Sequence, residues 1–211
     1  MQNIVVASNN PGKLREFEQM LAPMGVGIVP QSTLAIAEAE EPHATFVENA
    51  LAKARHASTL AGLPAFADDS GICVDVLGGA PGVNSARFAG ESVGEARARD
   101  VQDRLNNEKL IGLLRDQRNR RAHYYCVIVF MRRGDDPAPL IAEGRWHGEV
   151  IDTPRGSNGF GYDPYFYLPE FHCTAAELDP ERKNAVSHRG RALAALLPRL
   201  RALQSSSQGA A

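Results

Sequence analysis

A short apolar strand followed at once by a turn and a helix start is the feature that most restricts the fold of this chain. The run 4–7 reads Ile-Val-Val-Ala and predicts a buried strand, which the turn-forming cluster 8–12 ends. A helix is predicted from about Gly12, because apolar residues then recur at helical spacing. Its predicted buried face carries Leu14, Phe17 and Leu21.

Helices and strands alternate in the first half of the chain, and strands cluster in the second half. Thr45 and Glu48 form a capping box that begins a helix, and Gly62 ends that helix. Further helices are predicted at about 95–115 and 187–203, the last one kinked or interrupted at Pro198. Strands are predicted at 26–29, 65–67, 72–76, 124–131, 140–142, 146–151 and 165–168. This order predicts a mixed α/β fold with a partly antiparallel sheet.

Composition excludes several classes of protein. The 211 residues are 44% apolar and 23% charged, which is typical of a globular chain and unlike a disordered or coiled-coil one. Without a Pro/Gly/Ser-rich linker, we expect one domain over 1–203 and a flexible tail over 204–211. No apolar run approaches the roughly 20 residues of a membrane span, so we expect no membrane association.

Charge and cysteine content predict the surroundings in which the chain works. The formal net charge of −2 gives no field that would favour nucleic acid or an acidic membrane. The three cysteines include no CxxC pair, and the N-terminus lacks the features of a secretory signal. These observations predict a cytoplasmic protein that does not bind nucleic acid.

The segment 8–13 is the first candidate binding site. It joins a buried strand to a helix start, where exposed N–H groups and the Lys13 ammonium suit a phosphate. The GxxxxGK[ST] pattern of a Walker loop is absent from the sequence. An ordinary strand-to-helix turn capped by Asn is the alternative interpretation.

Two acidic groups are candidates for holding a cation or activating water. Glu40 and Glu41 precede the capping box, and Asp68 with Asp69 follow a predicted strand. Mg²⁺ favours one or two carboxylates together with substrate phosphates. A carboxylate at a strand end can also act as a general base. A solvated loop and a simple turn are the respective alternatives.

Two later segments are candidates for contacts with a ligand. In the loop 156–164 the glycines permit close approach of a ligand, Phe160 can stack on a base, and Asp163 can form hydrogen bonds. The segment 183–190 concentrates donors before the last helix, where Ser187 is a candidate N-cap. A hairpin turn and an exposed helix start are the alternatives.

Taken together in order, these segments resemble a known family, the non-canonical purine nucleoside triphosphate pyrophosphatases, also called inosine/xanthosine triphosphate pyrophosphatases. The bacterial branch is the more similar one. The matching segments are SNNPGK at 8–13, TFVENA at 45–50 with Lys53, ADDSG at 67–71, GGAPGVNSARFAG at 78–90, GFGYDPYF at 159–166 and SHRG at 187–190 with Lys183 before it. One departure is Ser8-Asn9-Asn10, where some members carry Thr-Gly-Asn.

The resemblance implies an activity and a fold. Members hydrolyse the α–β bond of inosine, deoxyinosine and xanthosine triphosphates, which gives the monophosphate and pyrophosphate and clears the nucleotide pool. They use Mg²⁺ and act as homodimers. Their fold is an elongated α/β structure with a long mixed central sheet flanked by helices and an active-site cleft between two lobes.

The resemblance also implies a role for each matched residue. Asp69 is expected as the general base and, with Glu40 or Glu41, as a metal ligand. The residues expected to bind substrate are Ser8, Asn9, Asn10, Pro11, Gly12, Lys13, Lys53, Ser70, Phe160, Gly161, Tyr162, Asp163, Lys183, His188 and Arg189. Two alternatives stay open: a pyrophosphatase for other modified bases, and a nucleotide-binding protein without turnover.

Overall fold

The computed structural model describes residues 3–22, 25–90 and 98–208. The helices are α1 (Pro11–Leu21), α2 (Phe46–Ala61), α3 (Arg99–Leu114), α4 (Pro180–Val186) and α5 (His188–Gln208). The strands are β1 (Ile4–Val6), β2 (Ile28–Pro30), β3 (Ala65–Val74), β4 (Arg121–Met131), β5 (Leu140–Val150), β6 (Phe166–Leu168) and β7 (Cys173–Thr174).

Seven strands within the described ranges form one mixed sheet. The strand order is β2-β1-β3-β4-β5-β6-β7. β1 pairs in parallel with β2 and with β3, whereas β6 pairs antiparallel with β5 and with β7. The predicted mixed α/β class with a partly antiparallel sheet is therefore confirmed.

Local signals placed the first two helices correctly. Asn10 caps α1, and Phe17 and Leu21 on its predicted face are buried. The Thr45 hydroxyl accepts a hydrogen bond from the Glu48 N–H at 3.4 Å, and Gly62 ends α2 with φ 63°. That positive φ is one that glycine adopts without strain.

The chain divides into two compact units, each with its own apolar core. Unit 1 comprises 1–69, 126–144 and 188–211, and unit 2 comprises 70–125 and 145–187. The unit 1 core includes Phe17, Phe66, Ile128 and Leu196. The unit 2 core includes Ile72, Leu110, Tyr124, Trp146 and Phe166. Full burial of one such side chain contributes about 1.5–3 kcal/mol. The single domain over 1–203 and the cleft between lobes stay predictions.

Two predicted strand breaks are wrong. Asp68 and Asp69 lie in the middle of β3, because basic side chains compensate their charges and allow the strand to stay buried. β5 continues through Gly144, where a Cβ would lie 2.1 Å from the His188 carbonyl oxygen. Gly144 therefore permits close packing of α5 and does not make a turn.

The C-terminal part also differs from the prediction. α5 continues through Pro198 to Gln208, so Pro198 does not interrupt it. β7 and α4 were not predicted. The predicted helix start at 95–97 and the last three residues, 209–211, lie outside the described residues, and flexibility of the tail stays a prediction. Across the described ranges, no helix combines the length and apolar character that crossing a bilayer requires.

Candidate active site

The turn 8–13 is held by its own side chains. Asn10 Oδ1 accepts hydrogen bonds from the N–H groups of Gly12 at 2.9 Å and Lys13 at 3.4 Å. Ser8 Oγ accepts from the Asn10 N–H at 3.2 Å, and Asn9 Oδ1 accepts from Gln31 Nε2 at 3.4 Å. The Asn-capped turn predicted as the alternative is therefore present. A role in phosphate binding stays a prediction for these residues and for Pro11, which opens α1.

Lys13 points to a fully buried carboxylate. Its Nζ lies 2.9 Å from Asp68 Oδ2, and the Asp68 side chain has no exposed area. Arg189 Nη2 lies 3.0 Å from the same oxygen, while Arg189 Nη1 pairs with Glu16. Burial opposes the charge of Asp68, but Lys13 and Arg189 outweigh it and hold its pKa well below the usual range. Asp68 therefore stays ionised and fixes both cations.

Asp69 has a different environment from its neighbour. Its Oδ1 lies 3.0 Å from Lys53 Nζ, and its Oδ2 accepts from Asn49 Nδ2 at 3.4 Å. Burial raises the pKa of Asp69; Lys53 and Lys13 oppose this rise, and Glu41 adds to it. A carboxylate with a raised pKa accepts a proton more readily than one saturated by cations. Asp69 is therefore better suited than Asp68 to act as a general base.

Lys53 joins Asp69 to the acidic segment before α2. Its Nζ lies 2.5 Å from Glu41 Oε1. Burial opposes the charge of Lys53, but the carboxylates of Asp69 and Glu41 outweigh it and raise the pKa of the ammonium. Glu40 is exposed, so of the two glutamates Glu41 is the one that belongs to this group.

These residues form the charge cluster, all of it in unit 1: Lys13, Glu16, Glu41, Lys53, Asp68, Asp69 and Arg189. Among the described residues, no group of three or more His, Cys, Asp or Glu side chains could hold a metal ion. Glu41 and Asp69 nevertheless share one cation, the Lys53 ammonium. Two carboxylates suit Mg²⁺ when substrate phosphates complete its coordination.

A second group of predicted residues comes together in unit 2. Lys183 Nζ donates to Asp163 Oδ2 at 2.7 Å and lies 5.0 Å from the centre of the Phe160 ring. The Phe160 N–H donates to the same Asp163 oxygen at 2.8 Å. We call Phe160, Asp163 and Lys183 the loop cluster. It presents an aromatic ring beside one buried ion pair.

Contact with the Asp163 carboxylate explains why Gly159, next to the loop cluster, is a glycine. A Cβ at Gly159 would lie 2.1 Å from Asp163 Oδ2, and the φ of Gly159 is 77°. The glycine therefore admits the chain's own carboxylate. Tyr162 is buried, and its hydroxyl donates to the Ser85 carbonyl oxygen at 2.8 Å. Tyr162 is thus a packing residue here, and its contact with substrate stays a prediction.

The remaining predicted residues are placed as follows. His188 and Arg189 begin α5 in unit 1 and are 5% and 2% exposed. The Arg189 guanidinium pairs with the carboxylates of Glu16 and Asp68, and its contact with a base stays a prediction. Ser70 follows Asp69 in β3 and belongs to unit 2. Ser187 ends α4 in an extended conformation.

Several residues that hold the charge cluster and the loop 156–164 in place were not predicted from the sequence. Asn49 is buried and orients both Asp69 and the backbone of His43. Asp103 and Asn107 contact Gly161 from α3. A signal was present, because Asn is a weak helix former and 106–107 is an Asn-Asn pair within a helix.

The fold and the charge cluster define an α/β protein with a buried site in which carboxylates pair with lysine and arginine side chains. The Ham1 family model matches residues 4–199, and the chain belongs to the Ham1 family.

Curated relatives and a solved structure resemble the chain over nearly its whole length. A dITP/XTP pyrophosphatase of Ralstonia nicotianae is 61% identical over 98% of this chain and 100% of its own length. One of Burkholderia pseudomallei is 60% identical over 93% of this chain and 92% of its own. A HAM1 protein from Coxiella burnetii has a TM-score of 0.84 at 46% identity, covering 95% of this chain and 98% of its own.

Proposed function

We propose that this protein hydrolyses ITP, dITP and XTP at the α–β phosphate bond to the nucleoside monophosphate and pyrophosphate. The observation that carries the proposal is Asp69, a buried carboxylate of raised pKa beside Lys53, in a chain of the Ham1 family. The substrate class is that of the relatives, which are dITP/XTP pyrophosphatases.

The charge cluster provides what attack on the α-phosphorus requires. Asp69 takes a proton from water, the water oxygen bonds to the α-phosphorus, and pyrophosphate leaves with the electron pair of the broken bond. Lys13 and Lys53 neutralise the phosphate oxygens as charge develops on the leaving group. Asp68 orients Lys13 through their ion pair.

Glu41 and Asp69 are the residues that would hold Mg²⁺. The ion supplies positive charge that polarises phosphate oxygens and lowers the pKa of a bound water. Glu40, exposed beside Glu41, is the weaker candidate. We also propose that the protein works in the cytoplasm as a homodimer.

The loop cluster provides groups for a purine base. The Phe160 ring can stack on the base, and the Lys183 ammonium can donate to a 6-keto oxygen. Adenine carries an amino group at that position, which would leave a buried donor unpaired. We propose His188 and Arg189 as further donors.

Phosphorus NMR of the products tests this function directly. ITP is incubated with the protein and Mg²⁺ in water enriched in ¹⁸O, and we expect pyrophosphate together with monophosphate that carries the ¹⁸O. Orthophosphate with inosine diphosphate would mean that a different bond is cut. Asp135→Asn is a suitable control, because Asp135 is an 83% exposed partner of Arg133.

The two alternatives predict other outcomes of that experiment. Rapid turnover of modified pyrimidine triphosphates with slow turnover of ITP would indicate a different base class. Nucleotide binding by equilibrium dialysis without any product would indicate a binding protein.

A further inference from the structure

Helix α3 contacts the loop between Phe160 and Asp163 at Gly161, a residue that has no side chain. Gly161 lies between Phe160 and Tyr162 with φ 64°. Its N–H donates to Asp103 Oδ2 at 3.0 Å, and its carbonyl oxygen accepts from Asn107 Nδ2 at 2.9 Å. Both backbone groups of one loop residue are therefore held by two side chains of one helix.

The spacing of these side chains makes the contact rigid. Asp103 and Asn107 are four residues apart on α3, so they lie on the same helix face. Asn107 is 5% exposed and also donates to the Asp103 carbonyl oxygen at 2.8 Å, which fixes its amide. We call Asp103 and Asn107 the Gly161 clamp.

A second connection limits rotation of the loop about Gly161. The Tyr162 hydroxyl donates to the Ser85 carbonyl oxygen at 2.8 Å, and Asn106 Nδ2 donates to that same oxygen at 3.2 Å. Asn106 is 1% exposed and neighbours Asn107 on α3. Gly161 is therefore held by α3 directly, and Tyr162 is linked to α3 through the Ser85 carbonyl oxygen that it shares with Asn106.

The clamp acts on the residues that the proposed function assigns to the base. Phe160 and Asp163 flank the clamped pair and are joined by the hydrogen bond from the Phe160 N–H to Asp163 Oδ2. Holding Gly161 therefore sets the position of the aromatic ring and of the carboxylate together. A loop held in one geometry discriminates between bases more strongly than a loop that can shift to accommodate them.

We propose that Asp103 and Asn107 are positioning residues that determine base selectivity by holding Gly161 in place. The proposal rests on the proposed function. Neither side chain needs to touch the nucleotide. Their loss is expected to raise KM for ITP and to narrow the preference for ITP over ATP, with little effect on kcat, because the charge cluster is unchanged.

The test compares four variants: Asp103→Ala, Asn107→Ala, Asp103→Asn and Arg104→Ala. The Asn side chain of Asp103→Asn retains an oxygen that can accept from the Gly161 N–H. Arg104 is the control on the same helix, since it is 62% exposed and pairs with Glu108. kcat and KM are measured for ITP and ATP, and thermal unfolding is followed in parallel.

We expect Asp103→Ala and Asn107→Ala to lower the ratio of kcat/KM for ITP to that for ATP about tenfold, with kcat for ITP changed by less than about threefold. Asp103→Asn should keep most of the selectivity, and Arg104→Ala all of it. Asp103 is only partly buried, so its variants test the proposal even if Asn107→Ala fails to fold.

Three results would overturn the proposal. The first is unchanged selectivity in folded Asp103→Ala, and the second is a loss in kcat alone. In the third, Asp103→Asn behaves like Asp103→Ala, which would exclude the acceptor role of Asp103. Failure of the proposed function is distinguishable, because the wild-type protein would then form no monophosphate and pyrophosphate from ITP.

Discussion

The charge cluster of unit 1 and the loop cluster of unit 2 are organised by different interactions. The charge cluster contains three cations and four carboxylates, which neutralise one another through short ion pairs. The loop cluster contains a single ion pair, Lys183 with Asp163, and depends on hydrogen bonds to backbone groups.

This difference matches two chemical tasks. A triphosphate is recognised by charge, which acts over several ångströms and tolerates small displacements. A base is recognised by hydrogen bonds and stacking, which depend on direction and on fixed distances. We therefore expect changes in the charge cluster, apart from those at Arg189, to affect all nucleotides alike and changes in unit 2 to depend on the base.

The largest expected effect is that of Asp69→Asn. Its amide cannot accept the proton of water at neutral pH, so kcat should fall about 10²–10⁴-fold. The loss should be similar for ITP, dITP and XTP, while nucleotide binding by equilibrium dialysis is retained. Turnover at the wild-type rate would remove Asp69 from the role of general base, and a loss that differs strongly between bases would break the comparison.

Asp68→Asn should act mainly on stability. Asp68 is buried between Lys13 and Arg189, and removal of one partner of a buried ion pair destabilises by about 3–5 kcal/mol. Urea unfolding measures the change in unfolding free energy. Asp135→Asn is the matched control, because exposed pairs contribute about 0–1 kcal/mol. Equal effects of the two variants would contradict the assigned role of Asp68.

The pH dependence should separate the two neighbouring aspartates by sign. The pKa of Asp68 lies well below its unfolded value, so its stabilisation is fully present above about pH 5 and is lost progressively as pH falls below the ordinary carboxyl value of about 4. The pKa of Asp69 is raised in the folded chain. Asp69 therefore contributes a loss of stability as pH rises from the ordinary carboxyl pKa through the raised pKa.

Urea unfolding of wild type, Asp68→Asn and Asp69→Asn is measured between pH 3 and pH 8, about the range in which the pKa shifts of Asp68 and Asp69 should change stability. The gap in unfolding free energy between wild type and Asp68→Asn should narrow as pH falls. The unfolding free energy of Asp69→Asn should instead rise relative to that of wild type as pH rises, because only wild type carries the ionised Asp69. Parallel curves for both variants would show that the two carboxylates do not differ.

Local signals explain why the chain segments next to both clusters could be predicted. The Asn10 cap, the Thr45–Glu48 capping box and the glycines of the loop 156–164 act within a few residues of chain. Such signals depend on short-range sterics and hydrogen bonds, which a sequence pattern contains. The resemblance added the residue roles that these patterns leave open.

Long-range compensation explains what could not be predicted. Asp68 and Asp69 were predicted at a strand end, with a turn as the alternative, whereas burial of two adjacent carboxylates within a strand is rare. One partner that allows the burial of Asp68, Arg189, is 121 residues away. Asp103 and Asn107 were not singled out within the helix predicted at about 95–115, since their partner Gly161 lies 58 and 54 residues away.

The smallest expected effect, that of Tyr124→Phe, sharpens the comparison most. Tyr124 is 7% exposed, and burial together with its hydrogen bond to the Asp163 carboxylate raises the pKa of its phenol well above the ordinary value. Loss of that hydroxyl removes one hydrogen bond, worth about 1 kcal/mol, and leaves Asp163 with Lys183 and the Phe160 N–H.

We therefore expect KM for ITP to rise about fivefold in Tyr124→Phe, with kcat within about twofold of wild type, since about 1.4 kcal/mol corresponds to a factor of ten. Tyr125→Phe is the matched control, because it removes the same hydroxyl from the neighbouring residue, whose ring lies under the Arg145 guanidinium. Steady-state kinetics with ITP and ATP measures the effect. A kcat loss shared by all nucleotides would mean that the loop cluster also serves the phosphates, because a group confined to the base cannot slow hydrolysis of every substrate alike.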